Sequence, residues 1–271
     1  MNKIKAIISD FDGTLVDKNE KVTPGVKTLI KKIQDKGIRI SIATGRLYSN
    51  GVKRVEDELN IRGIHIFHGG AKIYNTANEK TLLLQPISKE SAINIYKYLK
   101  LKNVFFAFET EKDVFMYPKA LKVSYLKNVE ARDIYDLKDY KRILKILIFA
   151  KLNYFNEKQL DLHTKNIQKT CKDIEIIKFN FEGNFGVDIT SEKSTKHTAV
   201  LEYCKMLNYK QENIVAIGDG YNDFHLFTAS GFKIAMGGSP KELKDFADLV
   251  VPTVEDGGME VALQYIYDKL L

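Results

Sequence analysis

Apolar residues follow two rhythms along this chain, and the order of those rhythms predicts a fold. Residues 4–8 form a nearly continuous apolar run ending at Asp10, as in a strand buried on both faces. Thr23-Pro24 then offers an N-cap and a proline at the first helical position. Val26, Leu29, Ile30 and Ile33 recur at i, i+3, i+4 and i+7, and Gly37 follows at the stop. Residues 38–43 read as the next strand, ending at Thr44-Gly45-Arg46. A strand–helix–strand order predicts a right-handed parallel crossover. It sets Asp10 and Thr44 side by side on the carboxyl edge of the sheet, where open α/β sheets bind ligands.

The final third repeats this pattern. Val200, Tyr203, Cys204 and Leu207 make a helical stripe, and residues 214–217 a strand ending in Gly218-Asp219. A helix from about Asn222, a strand at 232–236, a helix from Ser239-Pro240, a short strand at 249–251 and a closing helix at 259–271 follow. The middle differs. A helix near 88–99 carries Ala92, Ile95, Tyr96 and Leu99 on one face, and another is expected between Asn156 and Lys172. Strand-like runs lie at 104–108, 114–117, 142–150, 174–181 and 185–189. Adjacent strands without intervening helices predict an antiparallel α+β unit. The expected division is an α/β parallel-sheet core at 1–83 and 187–271, with an α+β domain at 84–186 inserted through hinges near Gln85-Pro86 and 183–186.

Composition narrows the class. Of 271 residues, 44% are hydrophobic and 28% charged, which suits a globular protein with a substantial core. No apolar run approaches the roughly 18–20 residues that span a bilayer. The first ten residues, interrupted by Lys5, are too short an apolar stretch for a signal peptide. Cys171 and Cys204 lack metal-type spacing, and the expectation is a reduced, cytoplasmic protein with no membrane partner. The net charge of +7 is uneven: residues 84–185 hold 19 Lys or Arg against 13 Asp or Glu, a surplus of +6. This basic surface either steers anionic substrates or is simply solvated. Its lysines are dispersed rather than interleaved with aromatics, so no nucleic-acid partner is expected.

Four pieces carry candidate chemistry: Asp10-Phe11-Asp12-Gly13-Thr14, Thr44-Gly45-Arg46, Lys196, and Gly218-Asp219-Gly220-Tyr221-Asn222-Asp223. Each alone has an ordinary structural reading, such as a turn, a strand exit or a surface lysine. Together they are not independent, because Asp10, Thr44 and Asp219 all close apolar strands whose ends one sheet edge gathers. Carboxylates at 10, 12, 219 and 223 would repel one another there unless a cation held them. Oxygen-only ligation favours a hard ion, with Mg²⁺ the natural choice. A metal beside carboxylates, a hydroxyl and a lysine is what a transferring phosphoryl group needs.

In the order and spacing of these four motifs, over essentially its whole length, the chain resembles haloacid-dehalogenase superfamily phosphatases of the Cof-type branch. That resemblance implies a Rossmann-like core with an inserted α/β cap that sets substrate specificity. It implies Asp10 as the nucleophile that becomes phosphorylated, Asp12 as acid and then base, and Thr14 as the residue orienting Asp12. Thr44, Gly45 and Asn222 would contact phosphate, Lys196 would neutralise phosphate and nucleophile, and Asp10, the Asp12 carbonyl, Asp219 and Asp223 would hold Mg²⁺. Arg46 either reaches the substrate or braces the cap. The implied activity is Mg²⁺-dependent hydrolysis of a small phosphorylated metabolite: a sugar phosphate, pyridoxal phosphate or flavin mononucleotide. The alternatives are a sugar-phosphate phosphomutase and a non-catalytic ligand sensor; oligomeric state stays open.

Three departures from the family pattern bear on substrate choice. Gly69-Gly70-Ala71 stands where Asn-Gly-Ala is common, Gly238 stands where an asparagine is common, and His197 stands where a glycine is usual. Either the loops have drifted, or leaving-group recognition has changed because glycine opens space. The five histidines show no metal-pair spacing; His68 and His197 either approach the site or have structural or solvent-facing roles.

Overall fold

The computed structural model describes residues 4–117, 129–181 and 184–271. They fall into two compact units, one made of Met1–Leu83 with Lys196–Leu271 and the other of Leu84–Thr195.

In chain order the first unit begins β1 (Ala6–Ser9), α1 (Pro24–Asp35), β2 (Arg39–Ile42), α2 (Lys53–Leu59), β3 (Ile64–Phe67), β4 (Lys72–Asn75) and β5 (Lys80–Leu84). Thr23 caps α1 by accepting from the Val26 amide, and the Pro24 ring occupies the first turn, where no N–H is needed. The second unit holds α3 (Lys89–Leu101), β6 (Phe106–Glu109), β7 (Val114–Tyr117), β8 (Ala131–Asp133), β9 (Lys145–Phe149), α4 (Glu157–Thr170), β10 (Ile174–Phe181) and β11 (Asn184–Ser191). The chain returns to the first unit through α5 (Lys196–Leu207), β12 (Ile214–Gly218), α6 (Asp223–Thr228), β13 (Phe232–Ala235), α7 (Lys241–Phe246), β14 (Leu249–Val250) and α8 (Gly258–Tyr265).

The core sheet has the order β14-β13-β12-β1-β2 and is parallel throughout. Side chains alternate across a strand, and here both faces are covered. Ile7 of β1 and Val215 and Ile217 of β12 join one apolar cluster with Ile30 and Ile33 of α1 and Ala262 and Leu263 of α8. Ala6 and Ile8, with Ile214 and Ala216, join another with Ala199 and Val200 of α5 and Leu226 and Phe227 of α6. This two-sided burial is why residues 4–8 read as an unbroken apolar run. Register pairs Ser9 with Ile42 on one side and with Ile217 on the other, so the residues that follow these strands emerge at one edge. The order reverses direction at β1, and such a switch point leaves a crevice between diverging loops. A small β3-β4-β5 sheet is tied to the core by a parallel bridge between Ala43 and Ile66.

The second unit carries a sheet of order β10-β11-β9-β6-β7-β8, antiparallel except between β7 and β8. Phe106, Phe108, Ile146, Ile148, Val187 and Ile189 pack from one face against Ala92, Ile95 and Leu99 of α3 and Leu160 and Ile167 of α4. The second unit ends at Thr195, later than the expected boundary at 186. The reason is β11, which pairs with β9 from Gly186 to Ile189 and with β10 as far as Ser191. Of the expected hinge at 183–186, Gly183 lies outside the described residues, and from Asn184 onward the chain is strand. No helix among the described residues is long and apolar enough to cross a membrane.

Candidate active site

Three strand ends and one helix start meet in the first unit. Asp10 follows β1, with its amide bonded to Ile217 O of β12 at 2.8 Å. Lys196 opens α5 and is fully buried, and its Nζ donates to Asp10 Oδ1 at 2.5 Å and Asp223 Oδ1 at 2.7 Å. Asp223 Oδ2 accepts from the amides of Asp219 and Gly220, each at 2.9 Å, which folds the turn after β12 around that carboxylate. Thr14 donates to Asp219 Oδ1 at 2.8 Å. One carboxylate oxygen each from Asp10, Asp219 and Asp223 lies within 4.8 Å of the others.

The charge count of this buried group is unbalanced: three carboxylates face one ammonium, a net charge of −2 if all are ionised. The titrations respond accordingly. Burial pushes the Asp10 carboxyl well above the usual range; Lys196 opposes this, and Asp223 and Asp219 add to it. Burial and then Asp223 push Asp219 up to about 7, against the Thr14 hydroxyl and Lys196. For Lys196 burial works against the charge, but Asp10 and Asp223 outweigh it and hold the amine charged far above its ordinary value. Three convergent oxygen ligands with excess negative charge and no His or Cys fit a hard divalent cation, whose two positive charges would cancel the surplus.

Asp12 is placed differently. Its carboxylate, about a third exposed, is held by Arg46 in a fork, Nε to Oδ2 at 2.8 Å and Nη2 to Oδ1 at 2.5 Å. Arg46 Nη1 donates to Glu20 Oε1 at 2.6 Å and Asn50 O at 3.0 Å. Asp12, Glu20 and Asn50 O therefore take up this guanidinium, a set of partners that neither sequence alternative for Arg46 contains. Thr14 bonds Asp219 rather than Asp12. Thr44 is buried after β2, where its Oγ1 accepts from the Arg46 amide at 3.1 Å, and Gly45 lies between those two residues. Asn222 precedes α6 without capping it through its side chain.

Glu20 is absent from the sequence reading. It sits in the polar run Asp17-Lys18-Asn19-Glu20-Lys21, where no spacing separates an inward carboxylate from a solvated one. His197 Nδ1 pairs with Thr228 Oγ1 at 2.9 Å in exposed surroundings. His68 is buried at the turn before Gly69. Gly69 has φ +68°, a left-handed conformation that asparagine also tolerates, so glycine keeps the backbone that the commoner residue would adopt.

The chain is similar over nearly its whole length to proteins of one known family. A family model for haloacid dehalogenase-like hydrolases matches residues 7–263. Phosphatase YwpJ of Bacillus subtilis is 24% identical, covering 97% of this chain and 100% of that protein. The 5-amino-6-(5-phospho-D-ribitylamino)uracil phosphatase YwtE of the same organism is 26% identical, covering 99% of this chain and 98% of that protein. Among solved structures, the subclass IIB sugar phosphatase BT4131 superposes with a TM-score of 0.81 at 21% identity, covering 97% of this chain and 99% of that one, a likeness of fold. With the family model spanning nearly the whole chain, the protein belongs to the haloacid dehalogenase-like hydrolase family, as one of its phosphatases.

Proposed function

We propose that the protein hydrolyses a small phosphorylated metabolite, of the sugar phosphate, pyridoxal phosphate or flavin mononucleotide class, through an aspartyl-phosphate on Asp10. The observation that carries this reading is the buried Lys196 ammonium bridging Asp10 and Asp223. It opposes the protonation that burial favours and gives the carboxylate a fixed direction, both of which serve a nucleophile facing a phosphate dianion.

In the first displacement an Asp10 oxygen forms a bond to phosphorus as the ester P–O bond breaks. Asp12 gives its proton to the departing alkoxide. In the second, water attacks phosphorus, its proton passes to Asp12, and the Asp10 carboxylate departs, so the sum is ester plus water to alcohol plus phosphate. Thr44, the Gly45 amide and Asn222 contact the phosphoryl oxygens, and Lys196 offsets their charge. Asp10, Asp219, Asp223 and the Asp12 carbonyl would hold Mg²⁺, which when bound supplies electrostatic stabilisation of the phosphoryl oxygens. The inserted unit acts as the cap that reads the leaving group. Both cysteines are buried and free, which suits the cytoplasm as the location we propose.

The test is phosphate release from hexose phosphates, pyridoxal phosphate and flavin mononucleotide, with Mg²⁺ and with chelator, for wild type and Asp10→Asn. Release that requires Mg²⁺ and disappears with Asp10→Asn is expected. Release that survives the substitution rejects Asp10 as nucleophile.

A further inference from the structure

The Asp12–Arg46 fork has a support of its own. Four N–H···O contacts leave the guanidinium toward Asp12, Glu20 and Asn50 O, and its plane lies over the buried Phe11 ring, 5.1 Å from the centroid. Glu20 reaches it from a turn built to aim it inward. Asp17 Oδ1 accepts from the amides of Asn19 and Lys21 at 2.8 Å each, and Glu20 N bonds Asp17 O at 2.9 Å. Glu20 itself has φ +57°, a left-handed conformation that costs a non-glycine residue about 1 kcal/mol. Its carbonyl is held by Arg54 Nη2 at 2.6 Å. From the other side, Gly51 at φ +84° brings the main chain so close that a Cβ there would lie 2.8 Å from Glu20 Oε2 and 3.0 Å from Arg46 Nη1. Glu20 and Arg46 are both buried, whereas the Asp12 carboxylate at the far end of the chain of contacts is partly open.

We propose that Glu20 is a positioning residue: it fixes Arg46, and through the bidentate fork it fixes the direction of the Asp12 carboxylate. The inference rests on the reading of Asp12 as the acid and base of hydrolysis. A fork sets the plane of a carboxylate as well as its distance, which a single contact does not. Glu20 holds the guanidinium at Nη1, the nitrogen that the fork to Asp12 does not use. Without that contact, Asp12 still lies near the site but no longer points along the proton's path, and proton transfer is sensitive to such misplacement.

The discriminating measurement is the ratio of kcat/KM for p-nitrophenyl phosphate to kcat/KM for an alkyl phosphate. This parameter reports the first displacement. A nitrophenolate departs without a proton, whereas an alkoxide needs the one on Asp12. Both values come from one preparation, so the folded fraction cancels, and a purely structural lesion leaves the ratio unmoved. Asp12→Asn sets the scale, raising the ratio by about 10²–10⁴. Glu20→Gln is expected to raise it about 10-fold, and Gly51→Ala, which crowds the same pair, to raise it in the same direction; the second variant carries the test if the first does not fold. An unchanged ratio in a folded variant, with an active wild type, overturns the role of Glu20 and leaves the phosphatase reading standing. A wild type inactive on both esters overturns that reading and this inference with it.

Discussion

Gly13 and Asp219 sit so close that a Cβ on Gly13 would lie 2.6 Å from Asp219 Oδ2. The glycine that turns the chain just after Asp12 thus also leaves room for a carboxylate arriving 206 residues later, and its φ of +71° is one that side chains resist.

Gly13→Ala should therefore fail twice. The backbone penalty is about 1 kcal/mol, and the Asp219 carboxylate, held by Thr14 on its other oxygen, has to move. Urea denaturation should show a loss of about 1–2 kcal/mol, and Mg²⁺ titration at least a 10-fold weaker affinity. Unaltered Mg²⁺ affinity in the folded variant would mean that Asp219 is not a ligand.

Lys196→Met leaves the carboxylates of Asp10 and Asp223 buried without their shared ammonium. Removing one partner of a buried ion pair costs about 3–5 kcal/mol. The loss should be largest in chelator and partly restored by Mg²⁺, since a divalent cation takes over part of the neutralisation. Phosphate release should fall at least 100-fold under both conditions. Lys196→Arg should not rescue it, because a compact ammonium reaching two carboxylates is not replaced by a planar fork. Thermal unfolding with and without Mg²⁺, alongside release assays, decides the matter; equal destabilisation in both conditions would show that metal and lysine act at separate places.

Much of this is legible in the amino-acid sequence. The alternation of apolar runs and helical stripes anticipated β1, α1, β2 and β12, because two-sided burial writes a continuous signal into a strand. Strand ends then located Asp10, Thr44 and Asp219. Side-chain partnerships were less accessible. Thr14 and Glu20 each have several polar neighbours in sequence, and only tertiary packing selects Asp219 for one and Arg46 for the other. The late boundary at Thr195 escaped for a related reason: glycines at 183 and 186 look like hinge residues, while the register that makes Gly186 a strand residue opposite Phe149 and Phe179 is a long-range fact. Strands β4 and β5 are short, and their neighbours in the β3-β4-β5 sheet decide them more than their own sequence does.

In the inserted unit, Lys145 is fully buried between Glu109 at 3.4 Å and Asp188 at 3.6 Å. Burial pushes Asp188 up to about 6, with Lys145 opposing and Glu109 adding. A carboxyl raised in the folded state binds its proton more tightly there than in the unfolded chain. Its stabilising contribution is thus complete below about pH 4 and lost as pH rises through about 6, amounting to about 2–3 kcal/mol. Asp188→Asn should remove this slope between pH 4 and 6 and be about 1–3 kcal/mol more stable than wild type at pH 8. Denaturation curves of the two proteins across that range give the answer, and parallel pH profiles would mean that Asp188 ionises normally.

The metal prediction has the opposite sign. Asp10 is raised well above the usual range and Asp219 to about 7, so without a cation the cluster takes up protons as pH falls through neutrality. Chelated protein should accordingly lose stability as pH rises from about 4 through about 7, since the folded state holds the extra protons in that window. A divalent cation binds the ionised carboxylates and displaces those protons, so its stabilisation should grow over the same interval. At 100 times Kd that stabilisation is about 2.7 kcal/mol. Two measurements follow. The Tm increase from Mg²⁺ should be larger at pH 8 than at pH 6, and titration calorimetry at pH 6.5 in buffers of different ionisation heat should show protons released on binding. Asp219→Asn should reduce both effects, because it removes a ligand and one displaced proton together. A Tm increase independent of pH would place the cation away from these carboxylates, since no site built from Asp10 and Asp219 can bind it without competing with their protons.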